Sequence, residues 1–250
     1  MRILLAILCL VLLGGARDPI LVPEVSQHEI QVRQGFTGTE LLLYGAILTP
    51  EGSRAGQDYD IVVVFKGPTN AIVLREKQRI AGIWVNADSA QFRSAPAFFA
   101  VASSKPIDKI VDQKTAAIYE LGLPWLQLSP IGAFDPAEQR RFSAGLVERR
   151  MREGLYKEDP HGVNVSEQVL YQARISLPSS VQTGTYTAET FAISKGRVVA
   201  SAVARVEVRK VGFERLVALF ADNNGFLYGL LAVLVSVGMG FLAGRLFALV

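Results

Sequence analysis

Ser103-Ser104-Lys105-Pro106 is the one short stretch of this 250-residue chain whose side chains and backbone could together hold an anion. A helical turn opening at Pro106 would offer free backbone N–H groups, and two hydroxyls and an ammonium precede it, the donors that a sulfo-anion or phosphate needs. The same serines also suit plain helix capping, and both readings stand at this point. Elsewhere the chemistry-bearing residues are sparse. His28 and His161 are far apart in sequence, and neither has the cysteine or carboxylate spacing of a zinc site. There is no Gly-x-Ser-x-Gly elbow and no phosphate-cradling glycine loop. Carboxylate pairs of the glycosidase kind leave no local signature, but an isolated acid is ordinarily solvated surface. No catalytic residue, metal or cofactor is therefore expected.

Two apolar stretches decide where these residues work. Arg2 precedes an apolar run over 3–13, followed by Gly14-Gly15-Ala16, and the run is too short to span a bilayer. Residues 1–16 thus read as a cleaved export signal. Cys9, the single cysteine, lies inside it behind Leu8, where a lipoprotein site would have a small residue. The exported chain has no cysteine, hence no disulfide despite an oxidising compartment. The second stretch, residues 226–244, has nineteen residues without a charge, close to the ~20 that a helix needs to cross the hydrocarbon. It predicts a transmembrane helix over 225–245 and a cytoplasmic tail over 246–250. The expected placement is a single-pass protein of the bacterial inner membrane with its bulk in the periplasm. Arg209, Lys210 and Arg215 outside, against Arg245 alone inside, oppose the positive-inside rule. The leader decides, because it is translocated first.

The formal charge of the chain is +3, and taking away Arg2 with the leader and Arg245 with the tail leaves +1 outside. Composition therefore gives no basic face for nucleic acid, and export makes that partner foreign to the compartment. Within the body, 17–210, strands are expected at 28–33, 40–48, 59–66, 71–76, 81–85 and 92–102, with Gly67-Pro68-Thr69-Asn70 as a turn. Residues 59–66 are almost wholly apolar. The middle changes period. Asp135-Pro136-Ala137-Glu138 combines a capping acid, proline at the first helical position and a glutamate three residues after the cap, which predicts a helix to about Glu153, closed by Gly154. A weaker helix is expected over 112–121. Strands return at 164–176, 184–194 and 197–209, the last two joined at Lys195-Gly196. Tyr186, after the loop 179–183, has the setting of a tyrosine corner. The fold class is mainly β: an immunoglobulin-like β-sandwich with a helical insertion at about 106–155, followed by a C-terminal transmembrane α-helix. Trp84 and Trp125 are expected in its core. Arg140, Arg141, Arg149, Arg150 and Arg152 share the capped helix with Glu138, Glu148 and Glu153, so a solvated, ion-paired face is expected there.

Near the membrane, residues 211–224 read as an amphipathic helix and a turn. Phe213, Leu216, Val217 and Phe220 fall on one helical face, as a helix lying in the interface requires. Within the span, Gly225 and Gly229, then Ser236, Gly240 and Gly244, put small residues one turn apart, which would let another helix approach closely.

The order of Gly35-Phe36-Thr37-Gly38-Thr39-Glu40-Leu41, Gly82-Ile83-Trp84-Val85-Asn86, Ala100-Val101-Ala102-Ser103-Ser104-Lys105-Pro106, Gly154-Leu155-Tyr156, Gly184-Thr185-Tyr186 and Val211-Gly212-Phe213-Glu214 resembles the alphaproteobacterial putative transmembrane protein family, over essentially the whole exported chain. The resemblance implies no established activity. It implies genes that often lie beside a permease resembling sulfite exporters, and so an accessory or binding subunit of an inner-membrane transporter. Relatives often end in a more basic tail, whereas Leu246 to Val250 is apolar. A non-enzymatic, membrane-anchored periplasmic protein is the expected function, its partner a permease or another copy of itself through the transmembrane helix. The alternatives are a periplasmic enzyme on envelope polymers or small anions, and a homo-oligomeric structural protein of the envelope.

Overall fold

The computed structural model describes residues 19–33, 35–48, 59–132, 135–167 and 169–247, without the side chains of 213–216 and 246–247. The expected leader lies outside the described residues. The chain divides into two units, one holding the residues up to Ile30 with Thr37–Val208, the other Gln31–Phe36 with the residues from Arg209 onward. The first is mainly β, as the sequence predicts.

One antiparallel sheet has the order β1 (Ile20–Val25), β3 (Gly38–Leu48), β11 (Leu170–Pro178), β10 (Val163–Ser166). The other runs β2 (Glu29–Val32), β13 (Arg197–Lys210), β12 (Gly184–Ser194), β4 (Asp60–Lys66), β7 (Phe99–Ser103), β9 (Tyr156–Asp159). They face each other, with β10 and β11 over β4 and β7. Ile61, Val62, Val63, Val64 and Phe65 of β4 are all fully buried. A strand covered on both faces needs an unbroken apolar run, which is why 59–66 does not alternate. Between the sheets, Tyr171 of β11 faces Thr190 of β12 at a geometry short of a full hydrogen bond.

The outer cover of β4 comes from a crossover. β7 and β9 are parallel neighbours, and parallel strands cannot be joined by a tight turn. The chain between them carries α1 (Ile107–Ile110), α2 (Gln113–Tyr119), a 3-10 turn (Leu123–Trp125), β8 (Ser129–Ile131) and α3 (Pro136–Arg152). The Tyr119 ring lies 5.4 Å from that of Phe191 on β12. Asp112 caps α2 by accepting from the Thr115 N–H at 2.9 Å, and the Thr115 hydroxyl, followed by this N–H, holds its carboxyl below the ordinary range. α3 starts where Asp135 accepts from the Ala137 N–H at 3.3 Å. It ends at Glu153, with Gly154 left-handed and the Leu155 N–H returning to the Arg150 carbonyl at 2.9 Å.

A second excursion leaves the sandwich between β4 and β7. β5 (Thr69–Ile80) and β6 (Ile83–Pro96) form one long hairpin, with β8 added along the root of β6. Its turn is Ala81-Gly82, both at positive φ, +50° and +86°, the two-residue geometry that matches strand twist. The sequence reading expected separate short strands within the sandwich here and a buried Trp84; Trp84 is 65% exposed. The reason lies in the pattern. Ile72 and Leu74 alternate with Ala90 and Phe92 at the root, and these pack on Phe142 and Leu146 of α3. Beyond them Arg75, Glu76, Lys77, Gln78 and Arg79 leave no face for a core.

The root is fixed by an aromatic corner. Tyr186 is fully buried, stacks on Phe65 with ring centres 5.5 Å apart, and lies 6.2 Å from Phe98. Its hydroxyl donates to the Gln182 carbonyl at 2.8 Å, so the expected corner forms. A Cβ on Gly67 would fall 2.9 Å from this ring, so the chain can leave β4 here only as glycine. The Gly67 N–H donates to the Phe98 carbonyl at 2.8 Å and the Ala97 N–H to the Pro68 carbonyl at 2.7 Å. The buried Tyr156 hydroxyl reaches the Pro96 carbonyl at 2.8 Å.

The second unit contains α4 (Phe213–Asn223) and α5 (Gly225–Phe247), separated at Asn224. The Phe220 and Tyr228 rings meet across that break, 6.4 Å apart. Among the described residues, Gly225–Arg245 is the one helix long and apolar enough to cross a membrane, and none of it is buried.

Burial raises the Tyr186 hydroxyl from the ordinary 10.0 to about 12, and burial raises that of Tyr156 as well. A group raised in the fold stabilises below its unfolded value and loses that contribution as pH climbs through the folded one. Melting curves across a pH series should therefore show stability falling from pH 10 towards about 12. Tyr186→Phe should lower neutral-pH stability by about 1 kcal/mol and make the alkaline fall shallower.

Candidate functional site

The Ser103 to Lys105 stretch stands where β7 ends. Ser103 is buried, and its hydroxyl has no hydrogen-bond partner. Ser104 and Lys105 turn instead to Asp60 at the start of β4. The Ser104 hydroxyl donates to Asp60 Oδ1 at 3.1 Å and accepts from the Ile61 N–H at 3.2 Å, while Lys105 Nζ lies 2.9 Å from the same Oδ1. The structure brings two of the three residues together and leaves Ser103 in the interior. The anion that Ser104 and Lys105 hold is a carboxylate of the chain itself. Neither serine caps α1, whose N-cap is Pro106 without a side-chain bond.

Other charged groups secure the crossover. Lys66 Nζ meets Glu120 Oε2 at 2.5 Å, and Glu120 Oε1 accepts from the Gln127 N–H at 2.9 Å. Glu158 of β9 accepts from the Leu123 N–H at 3.0 Å. His28 pairs with Glu24 at 3.1 Å, and the His161 N–H donates to Asp159 in a turn. Among the described residues, no three of His, Cys, Asp and Glu are grouped to hold a metal. On α3, Arg149 and Arg150 converge on Glu153 at 2.9 and 3.1 Å, and Arg149 in particular holds its carboxyl below the ordinary range.

Arg141 of α3 does something else, which the helical spacing alone did not announce. Its guanidinium reaches Glu76 Oε2 at 2.9 Å and Asp88 Oδ2 at 2.7 Å. Glu76 and Asp88 are register partners on β5 and β6. Two acids directly opposite repel, and the bridging cation turns that repulsion into a clamp across the hairpin. It marks a boundary: below it the arm packs on α3, and above it residues 77–87 are all exposed. Ile80, Ile83 and Trp84 are 55%, 69% and 65% exposed. Sequence reading missed this surface because an Ile-Trp-Val run reads equally as core; the long flanking polar stretch was the available signal. Trp125 is half-buried in the 3-10 turn.

Of the residues expected at the membrane interface, Val217 is half-buried and Phe220 exposed, while the side chains of Phe213 and Leu216 lie outside the description. In α5, a Cβ added at Gly225, Gly229, Gly240 or Gly244 would meet nothing within 4 Å. The Ser236 hydroxyl donates to the Ala232 carbonyl of its own helix at 2.8 Å.

Arg141→Ala should speed amide exchange in the outer arm, residues 75–89, while the root stays protected. The side chain is 49% exposed, so the expected loss is about 1 kcal/mol or less. Unchanged exchange in the outer arm would show the clamp to be idle.

No curated protein matches the chain. A family model described as "Putative transmembrane protein (Alph_Pro_TM)" matches residues 20–248, spanning both the β unit and the apolar helix. The chain belongs to this transmembrane protein family, with its candidate span, Gly225–Arg245, at the C-terminal end.

Proposed function

We propose that the protein is a non-enzymatic binding subunit held on the outer face of the bacterial inner membrane, where it serves as an accessory to a transporter through its transmembrane helix. The observation that carries this reading is the state of α5. It is uncharged as far as Gly244, unburied, and lined at Gly225, Gly229, Gly240 and Gly244 by positions with open space where side chains would be. Lipid-exposed helices gain little from apolar contact with one another, so close packing at small residues is what draws such a span to a partner. The described polar clusters agree with a binding role, since Asp60, Glu120, Glu76, Asp88 and Glu153 are each engaged by a neighbouring cation. A permease resembling sulfite exporters is the partner that the family resemblance implies, and the body above the membrane would contact its extracytoplasmic loops.

The test is purification of the tagged full chain in mild detergent. A permease should accompany it in fixed stoichiometry, and Gly240→Leu should reduce its recovery about tenfold, the effect of one lost close contact worth 1 to 2 kcal/mol. Recovery of the chain with itself alone, abolished by the same substitution, would favour a homo-oligomeric envelope protein instead. Recovery of neither would overturn the reading.

A further inference from the structure

The outer half of the arm is apolar where nothing in the described chain covers it. Ile80 pairs with Ile83 and Gln78 with Val85, so the three apolar residues share one face of the ribbon. Trp84 lies on the other face opposite Arg79, with the Lys77 and Asn86 pair next behind on that side. Residues 80–85 carry no charge, and their one polar side-chain group is the indole N–H. Asparagine or aspartate suits the first position of such a turn; Ala81, at φ +50°, keeps the tip apolar instead. Behind the tip the unclamped charges have one sign, Arg75, Lys77 and Arg79, because Arg141 engages Glu76 and Asp88.

The arm also leaves the sandwich at a telling end. Val208 of β13 pairs with Gly184, and a Cβ on Gly184 would lie 3.0 Å from Pro68, the residue before β5. The root of the arm and the strand that continues towards the anchor are therefore at the same end of the β unit. Past the clamp, about five residues of each strand extend some 16 Å at ~3.3 Å per residue.

We infer that the arm is a second membrane contact, its tip of Ile80, Ile83, Trp84 and Val85 entering the interface of the bilayer that holds the anchor, with Lys77 and Arg79 against anionic lipid headgroups. Aliphatic side chains leave water there, an indole is at home where its ring meets acyl chains and its N–H meets headgroups, and cations just behind face the phosphates. The chain belongs to a transmembrane family and carries a candidate span, so a bilayer is a surface that it meets. The inference goes beyond the accessory role and is independent of which protein α5 meets.

The chain has two tryptophans, so the full-length protein with Trp125→Phe reports on Trp84 alone. It is reconstituted in nanodiscs of phosphatidylcholine, or of phosphatidylcholine and phosphatidylglycerol in equal parts, and its emission and its quenching by acrylamide and by brominated lipid are measured. The expected result is a blue-shifted Trp84, shielded from acrylamide and quenched by brominated lipid, more so in the anionic discs. Lys77→Gln and Arg79→Gln should each lower the ratio of inserted to free arm by about fivefold in those discs. Ile80→Ser with Ile83→Ser should abolish insertion with the melting temperature unchanged, since both side chains stand in water in the β unit. A water-exposed Trp84 in both discs overturns the inference. Shielding only in native membranes overturns it in favour of a protein partner, and equal insertion in both lipids overturns the headgroup contact.

Discussion

The packing of the Tyr186 ring against Phe65 and Phe98, over a backbone that only glycine permits at 67, is the constraint on which one whole end of the β unit depends. The ring ends β4, starts the arm, and through its hydroxyl sets the path of the loop into β12. Bonds from Gly67, Ala97 and Tyr156 then close the space between the two strands of the root. Because the hydroxyls of Tyr186 and Tyr156 are buried with one carbonyl partner each, they resist ionisation, and the corner is strongest while both stay neutral.

Two excursions leave the sandwich, the arm at that corner and the crossover at the far end of β7, and each makes the other possible. A two-stranded ribbon is barely stable by itself in water. Here α3 supplies Phe142 and Leu146 to its root, β8 adds a third strand, and Arg141 bridges its facing acids. The crossover, in turn, gains an apolar surface for α3 that the sandwich does not offer, and is tied back by Lys66 to Glu120 and by Glu158 to the Leu123 amide. What the sequence presented as a helical insertion is physically the obligatory link between parallel strands β7 and β9.

This division of labour leaves many charged residues committed to architecture, with exposed apolar side chains prominent at the outer arm and the span. Ser104 and Lys105 show the first half of that statement: donors suited to an anion are satisfied by Asp60. The arm tip and α5 show the second. The family is transmembrane, and both places are rich in exposed apolar side chains.

Local signals were legible wherever one element contained both cause and effect. The apolar run of β4, the Asp135-Pro136 start and Gly154 stop of α3, the Lys195-Gly196 turn, the Tyr186 corner and the uncharged span at 226–244 each follow from neighbouring residues, and the mainly β class follows from their sum. What the sequence could not decide was pairing between distant segments. Whether Ile83-Trp84-Val85 is core or surface depends on whether a partner face exists for it, and only the fold reveals that α3 covers the ribbon as far as Arg141 and no further. Whether Ser104 and Lys105 converge depends on which carboxylate arrives beside them, and Asp60 comes from a strand more than forty residues away. Periodicity constrains a residue's face; the tertiary structure alone decides what that face meets, because burial and charge pairing are properties of two surfaces at once.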